Sequence, residues 1–351
     1  MKKSIFCLAV IALLFTGCNK DQSQDEIQEQ NIDMSDFYVY TDPVESGTAD
    51  RVANNKNCSS MEVLNRQLND NPGLYQRMYN AELHTRRFIN SKKPDGAGNG
   101  NGNGNGGGDG GDGGGTPVDD GLGQIQIPVY VYVIYANNSQ NISDAQVNSQ
   151  IDVLNADFND TNYSGAFYAD RGADVGITFL DAVIDRRANS TTSWGTNNAV
   201  KSVYPAQPGY LTMWVANIGG GILGYAQFPG GNASTDGIVV SPQYFGDTGT
   251  ATAPFDGGRT TTHEVGHWLN LRHIWGDGRC NRDDFVDDTP KSDRPNYGCP
   301  GSITHCRSID MVENYMDYTD DVCMELFSEG QKTRMRALFA PGGARDEFSG
   351  I

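Results

Sequence analysis

Residues His263 to His273 read H-E-V-G-H-W-L-N-L-R-H, and this run constrains the chain more than any other stretch of its 351 residues. On a helix, His263 and His267 share one face, so their imidazoles can reach one metal ion. Glu264, beside the first histidine, is placed to take a proton from a water that the metal activates. His273 comes six residues after His267. The chain must therefore leave the helix, turn sharply and return a third imidazole to the same ion. Three neutral nitrogen ligands and one open position describe a catalytic zinc site, whereas structural zinc sites are closed and usually rich in cysteine. Three of the five histidines lie in this run.

The long form of this motif in metzincin peptidases is H-E-x-x-H-x-x-G-x-x-H, followed later by a methionine turn. Here Asn270 stands at the glycine position. The turn requires a left-handed backbone, which asparagine tolerates better than most residues. Downstream, E-N-Y-M-D-Y-T-D-D (Glu313 to Asp321) is similar to the methionine turn, with Met316 beneath the ligands. A rival reading takes Glu313 as the third ligand, as in thermolysin-type enzymes, and leaves His273 a bystander. The zinc run, F-V-D-D-T-P (Phe285 to Pro290) and N-Y-M-D-Y (Asn314 to Tyr318) together resemble the pappalysin family of metzincins, closest to its compact bacterial, ulilysin-like members. The resemblance covers about the last 230 residues. It implies an α+β fold: a mixed sheet with a backing helix and the active-site helix above, and an irregular, disulfide-linked lower half closed by a C-terminal helix.

The formal net charge of −18, with no basic stripe, argues against nucleic acid as a partner. Residues 1–17 read as a signal peptide, with Lys2 and Lys3, an apolar run from Ile5 to Phe15, and Thr16-Gly17 before Cys18. This resembles a bacterial lipobox in which Cys18 is acylated. The apolar run is too short for a stable membrane span, so the lipid would be the only membrane contact. The polar stretch Asn19 to Asp33 looks like the surface-export tether of lipoproteins in the Bacteroidota, which implies the outer membrane or cell surface, with the catalytic part released on processing.

Seven cysteines are present. Cys7 leaves with the signal, and Cys280, Cys299, Cys306 and Cys323 cluster around the metal motifs. In an exported protein these four predict two disulfides, and sequence alone allows three pairings. A cysteine-ligated zinc is the competing reading, disfavoured because no C-x-x-C pair occurs. Resemblance to the bacterial pappalysins favours Cys280–Cys306 and Cys299–Cys323. Cys58, in N-C-S-S-M-E-V-L-N-R-Q-L, is similar to the pro-segment motif R-x-C-G-T of these enzymes, although its arginine and glycine are not matched. The resemblance implies a cysteine switch, in which the thiolate takes the open zinc position.

Residues 60–93 have helical periodicity and, with the tether, form a pro-segment over 18–93. The tract 94–115, nearly all Gly, Asn and Asp from Gly96, reads as a flexible linker and a place for maturation cleavage. The catalytic domain is expected over 116–351. Ile125–Tyr135, Gly176–Ile184, Leu211–Ile218 and Gly237–Ser241 read as strands. Ser143 caps a helix to about Phe158, the zinc helix spans about Arg259–Leu269, and a closing helix runs from Ser328 to about Leu338. Gly219–Pro229 reads as the cleft rim, where an extended substrate would add as a strand.

In this reading Glu264 is general base and then general acid, and Tyr318, two residues after Met316, stabilises the oxyanion. Asp283, Asp284, Asp287, Asp288 and Thr289 form an oxygen-rich loop, and the resemblance implies calcium there through Asp283, Asp287 and Thr289. It also implies protein or peptide substrates with arginine after the cut bond, read by an acid such as Asp320 or Asp321. The sequence thus points to a secreted or surface-anchored zinc endopeptidase made as a latent zymogen. The competing class is a surface binding protein on the same scaffold without catalysis, against which Glu264 speaks. A zinc-dependent deacetylase or amidase uses other ligand patterns.

Overall fold

The structure, a computed structural model, describes residues 32–41, 58–92, 119–162 and 171–349. The signal peptide, Cys18, most of the tether and the Gly-rich linker lie outside the described residues. No helix among the described residues is long and apolar enough to cross a membrane.

Two helices open the described chain, α1 (Ser60–Asp70) and α2 (Gly73–Ser91). Pro72 separates them, since a proline supplies no N–H for a continuous helix. Met61, Leu64, Leu68, Leu74 and Met78 turn inward and pack with Val39 and Phe228 into a small core of their own. Ile125–Tyr135, expected as one strand, is two. β1 (Ile125–Ile127) ends at Pro128, and β2 (Val129–Tyr135) begins a different sheet. The proline cannot donate to a ladder, and only its carbonyl is used, accepting from Leu211 N at 2.9 Å. Ser143 caps α3 (Asp144–Phe158) by accepting from Gln146 N.

The next expected strand also divides, into β3 (Ile177–Phe179), paired with β1, and β4 (Val183–Ala188), paired with β2. After the short α4 (Ala199–Val203) come β5 (Leu211–Val215), β6 (Gly224–Ala226) and β7 (Ile238–Val240). The main sheet has the order β4-β2-β5-β7-β6, parallel except for β6, which pairs antiparallel with β7 at the edge. Alternation along β2 serves two cores. Val129, Val131 and Val133 join the large core beneath α3 and the zinc helix, while Tyr132 and Ile134 pack with Trp194, Val200 and Trp214 on the other face.

α5 (Arg259–Trp268) carries the zinc motif. The lower half is irregular apart from β8 (Thr304–His305), β9 (Ser308–Ile309) and α6 (Glu329–Ala337), whose start is fastened by a capping box between Ser328 and Gln331. Two disulfides staple this region, Cys280–Cys306 and Cys299–Cys323, with Cα separations of 5.5 and 5.7 Å. Because all four cysteines are paired with each other, they form no thiolate zinc site.

Candidate metal centre

α5 is positioned at both ends before any ligand is considered. At its N-terminus Asp321 Oδ2 accepts from the main-chain N–H of Gly257 and of Arg259, each at 3.0 Å. A carboxylate there satisfies orphan donors and complements the helix dipole. At the other end Asn270 adopts φ 67°, and Leu271 N turns back to Gly266 O at 2.9 Å. Asparagine thus occupies the left-handed position that glycine holds in the metzincin pattern. Gly266 faces the methionine turn, and a Cβ there would overlap Met316 Sδ.

The three imidazoles converge from this scaffold, all of them buried. Their ring centroids lie 4.7 Å (His263–His267), 4.6 Å (His267–His273) and 5.2 Å (His263–His273) apart. Each Nδ1 is committed to an oxygen: His263 to the carbonyl of Tyr315 at 2.7 Å, His267 to the carbonyl of Leu271 at 2.8 Å, and His273 to Asp277 Oδ1. A carbonyl can only accept, so in His263 and His267 the proton sits on Nδ1 and the Nε2 lone pair points inward. Nε2 of His267 and of His273 stand 3.1 Å apart. Two such lone pairs facing each other in a dry pocket suit a shared cation, and Cys58 lies in the same cluster, its ligand atom and theirs all within 4.8 Å of one another. The donor set fits zinc. Trp275 stacks on the His273 ring at 4.3 Å and fixes its plane.

Residues 58–60 occupy the cleft above the imidazoles. Cys58 is bridged to Gly224 on edge strand β6, and Ser59 N donates to Gly224 O at 3.2 Å. Ser60 Oγ donates to Glu264 Oε2 at 2.7 Å and accepts from Ala226 N at 2.7 Å. Tyr318 Oη donates to Cys58 O at 3.4 Å. Burial, then the neighbouring Glu264, pushes the Cys58 thiol well above its ordinary value, so a thiolate near neutral pH needs a cation at the imidazoles. β6 runs directly over Glu264; a Cβ on Gly224 would meet Glu264 Cγ and Oε1 at 3.0 Å.

Not every residue singled out in the sequence arrives here. Glu313 is not among the clustered ligand atoms, and its carbonyl accepts from Glu325 N at 2.7 Å. Met316 is fully buried under the helix. The acidic loop is dispersed: Thr289 Oγ1 donates to Asp284, Lys291 pairs with Asp283 at 2.9 Å, and Asp288 accepts from Ser328 Oγ and Gly330 N at the start of α6. Among the described residues, neither Asp283 nor Asp287 belongs to a cluster of three or more His, Cys, Asp or Glu ligand atoms. Asp321 caps α5 from a buried position, which occupies one of its oxygens. Two residues absent from the sequence reading stand in the site, Asp277 and Ser60. The H-x-x-x-D spacing from His273 to Asp277 was a usable signal for the first. Ser60 had none, being 204 residues from Glu264.

Comparison with known proteins agrees with this geometry. The Pregnancy-associated plasma protein-A (Peptidase M43) family profile matches residues 197–340. The extracellular metalloprotease of Arthroderma benhamiae is 33% identical over 231 residues, which are 61% of this chain and 72% of that protein. Extracellular metalloprotease 1 of Coccidioides posadasii is 34% identical over 229 residues, covering 61% and 77%. Among solved structures, mature mirolysin of Tannerella forsythia in complex with a cleaved peptide is 41% identical, with TM-score 0.61, covering 64% of this chain and 96% of that one. A promirolysin mutant from the same organism is 35% identical, with TM-score 0.66, covering 84% and 97%.

Proposed function

Because this chain belongs to the Pregnancy-associated plasma protein-A family, the pappalysins, and is a zinc metalloendopeptidase, we propose that it is made as a latent enzyme whose own N-terminal segment fills the active site. The observation that carries this is the convergence of three buried imidazoles, two of them tautomer-locked by carbonyls, on Cys58 Sγ. The likeness to promirolysin, over 84% of the chain against 64% for the mature form, supports residues 18–93 as the pro-segment, 94–115 as the linker and 116–351 as the enzyme.

His263, His267 and His273 would hold the zinc. When bound, zinc polarises the scissile carbonyl and makes a water nucleophilic near neutral pH. The chain supplies the rest. Glu264 takes the proton from the attacking water and passes it to the leaving amine. β6 presents Gly224 O and Ala226 N, which are the groups an extended peptide needs for strand addition. Tyr318 Oη, directed at a carbonyl oxygen of the pro-segment at 3.4 Å, would meet the carbonyl oxygen of the substrate in the same way. Met316 supplies an apolar floor. In the latent chain Cys58 Sγ would serve as a further ligand beside the three imidazoles, and Ser60 holds the base.

Substrates are peptides or proteins, consistent with the cleaved peptide bound by mature mirolysin. For arginine after the cut bond, Asp320 is the better candidate reader, because Asp321 caps α5. For calcium at Asp283, Asp287 and Thr289 the support is the oxygen-rich composition of the loop together with the family resemblance. Acylation at Cys18 and display on the cell envelope rest on the N-terminal pattern, and the extracellular naming of the relatives supports export.

Cleavage of casein by the processed enzyme, with and without a zinc chelator and beside Glu264→Ala, tests the central reading. Activity abolished by chelator and by the substitution is expected. Cleavage that survives chelation would remove the metal mechanism.

A further inference from the structure

We infer that Asp157, on α3 and 106 residues before the first zinc ligand, is a positioning residue for the metal centre, acting on His263 alone among the three imidazoles. Asp157 is 2% exposed. A carboxylate that deep is costly unless donors surround it, and four do. Thr262 Oγ1 donates to Oδ2 at 2.6 Å, Tyr315 Oη to Oδ1 at 3.0 Å and Asn162 Nδ2 to Oδ1 at 2.6 Å, while Arg259 Nε forms an ion pair at 3.3 Å.

The identity of these donors gives the cluster its role. Thr262 immediately precedes His263 on α5, so its hydroxyl fixes the rotation of the helical turn from which the first ligand projects. Tyr315 precedes Met316, and its carbonyl is the acceptor that orients the His263 ring, at 2.7 Å. One buried carboxylate therefore holds both the backbone that carries this imidazole and the backbone that aims it. His267 is aimed by Leu271 O and His273 by Asp277, neither of which touches Asp157. A simple staple between α3 and α5 would need only Arg259 or Thr262. The hydroxyl of Tyr315 extends the clamp to the methionine turn.

This role rests on the zinc reading, and metal binding separates the two. The full chain is stripped of metal and titrated with zinc against a chromogenic chelator, and the cobalt-substituted protein is read by its visible absorption. Wild type should bind one equivalent; failure to bind would remove the zinc reading itself. Asp157→Asn, nearly isosteric, should bind zinc about 10- to 100-fold more weakly, the range for lost outer-shell partners, with a changed cobalt spectrum. Tyr315→Phe removes one hydroxyl and should move both readouts the same way by less. A purely structural staple would lower the melting temperature and leave affinity and spectrum alone. Wild-type zinc affinity in Asp157→Asn would overturn the role. Should that variant fail to fold, unchanged affinity and spectrum in Tyr315→Phe would overturn it equally.

Discussion

The hydroxyl of Ser60 bridges the Glu264 carboxylate and edge strand β6, 2.7 Å from Glu264 Oε2 and 2.7 Å from Ala226 N. It gives its proton to the base and its lone pair to the strand. A substrate carbonyl would compete for that lone-pair position, and an attacking water for the contact with Glu264. The proposed latch has two arms, Cys58 toward the imidazoles and Ser60 toward Glu264.

Removing the arms one at a time should therefore give a graded result. Cys58→Ala is expected to convert itself to the mature form fastest, Ser60→Ala more slowly, and wild type slowest. Gel analysis of the full-length chain over time reads the order. Wild-type behaviour in Ser60→Ala would leave Cys58 as the whole of the latch.

Glu264→Gln keeps the shape of the side chain and removes the base. We expect kcat of the processed enzyme to fall at least about 10²-fold, within the usual contribution of a general base, while elemental analysis still finds one zinc per chain. Zinc loss together with activity would instead make Glu264 a structural support of the ligands.

The carboxylate of Asp277 meets His273 Nδ1 in a buried carboxylate–imidazole pair. Asp277→Asn should weaken zinc binding about 10- to 100-fold, and chelator competition measures it. An unchanged affinity would mean that Trp275, stacked on the same ring, suffices to hold it.

Glu82 on α2 and Arg334 on α6 join the N-terminal helices to the C-terminal one through a buried ion pair at 2.6 Å, with Arg86 also on Glu82 at 2.8 Å. Burial alone would raise the Glu82 carboxyl, but Arg334 and Arg86 bring it from 4.5 down to about 2. A carboxyl depressed in the folded state contributes stability above its unfolded value and loses it as pH falls through the folded one. The window is thus 4.5 to about 2, and the contribution is roughly 3 kcal/mol at neutral pH. Asp157 and Asp317, raised mainly by burial to about 6 and about 7, act with the opposite sign at higher pH. Thermal unfolding of wild type and Glu82→Gln should differ most near neutrality and converge toward pH 2. Parallel curves would deny the pair its role.

Cys280→Ser with Cys306→Ser opens a link across a separation of 26 residues. The unfolded chain gains loop entropy, so a loss of about 3 to 4 kcal/mol is expected, read by denaturant melts. The zinc helix lies outside that loop and its metal content should persist at low temperature.

Much of this was legible in the linear chain because it depends on local spacing. The helical pitch alone puts His263 and His267 on one face, and the backbone requirement at Asn270 follows from the turn that returns His273. The breaks at Pro128 and Pro72 were legible too, from the missing N–H, although periodicity alone read through them. What the sequence could not supply was every contact whose partners are distant in order. Ser60 on Glu264, Glu82 on Arg334, and Asp157 between Thr262 and Tyr315 are hydrogen bonds or ion pairs of ordinary residue types, with no pattern to mark them. Nor does composition say where an acidic side chain points: in the loop from Asp283 to Thr289, Asp283 pairs with Lys291, Asp288 accepts from Ser328 and Thr289 donates to Asp284. Ligand identity is written in residue spacing; orientation and restraint arise only when separate elements are packed together.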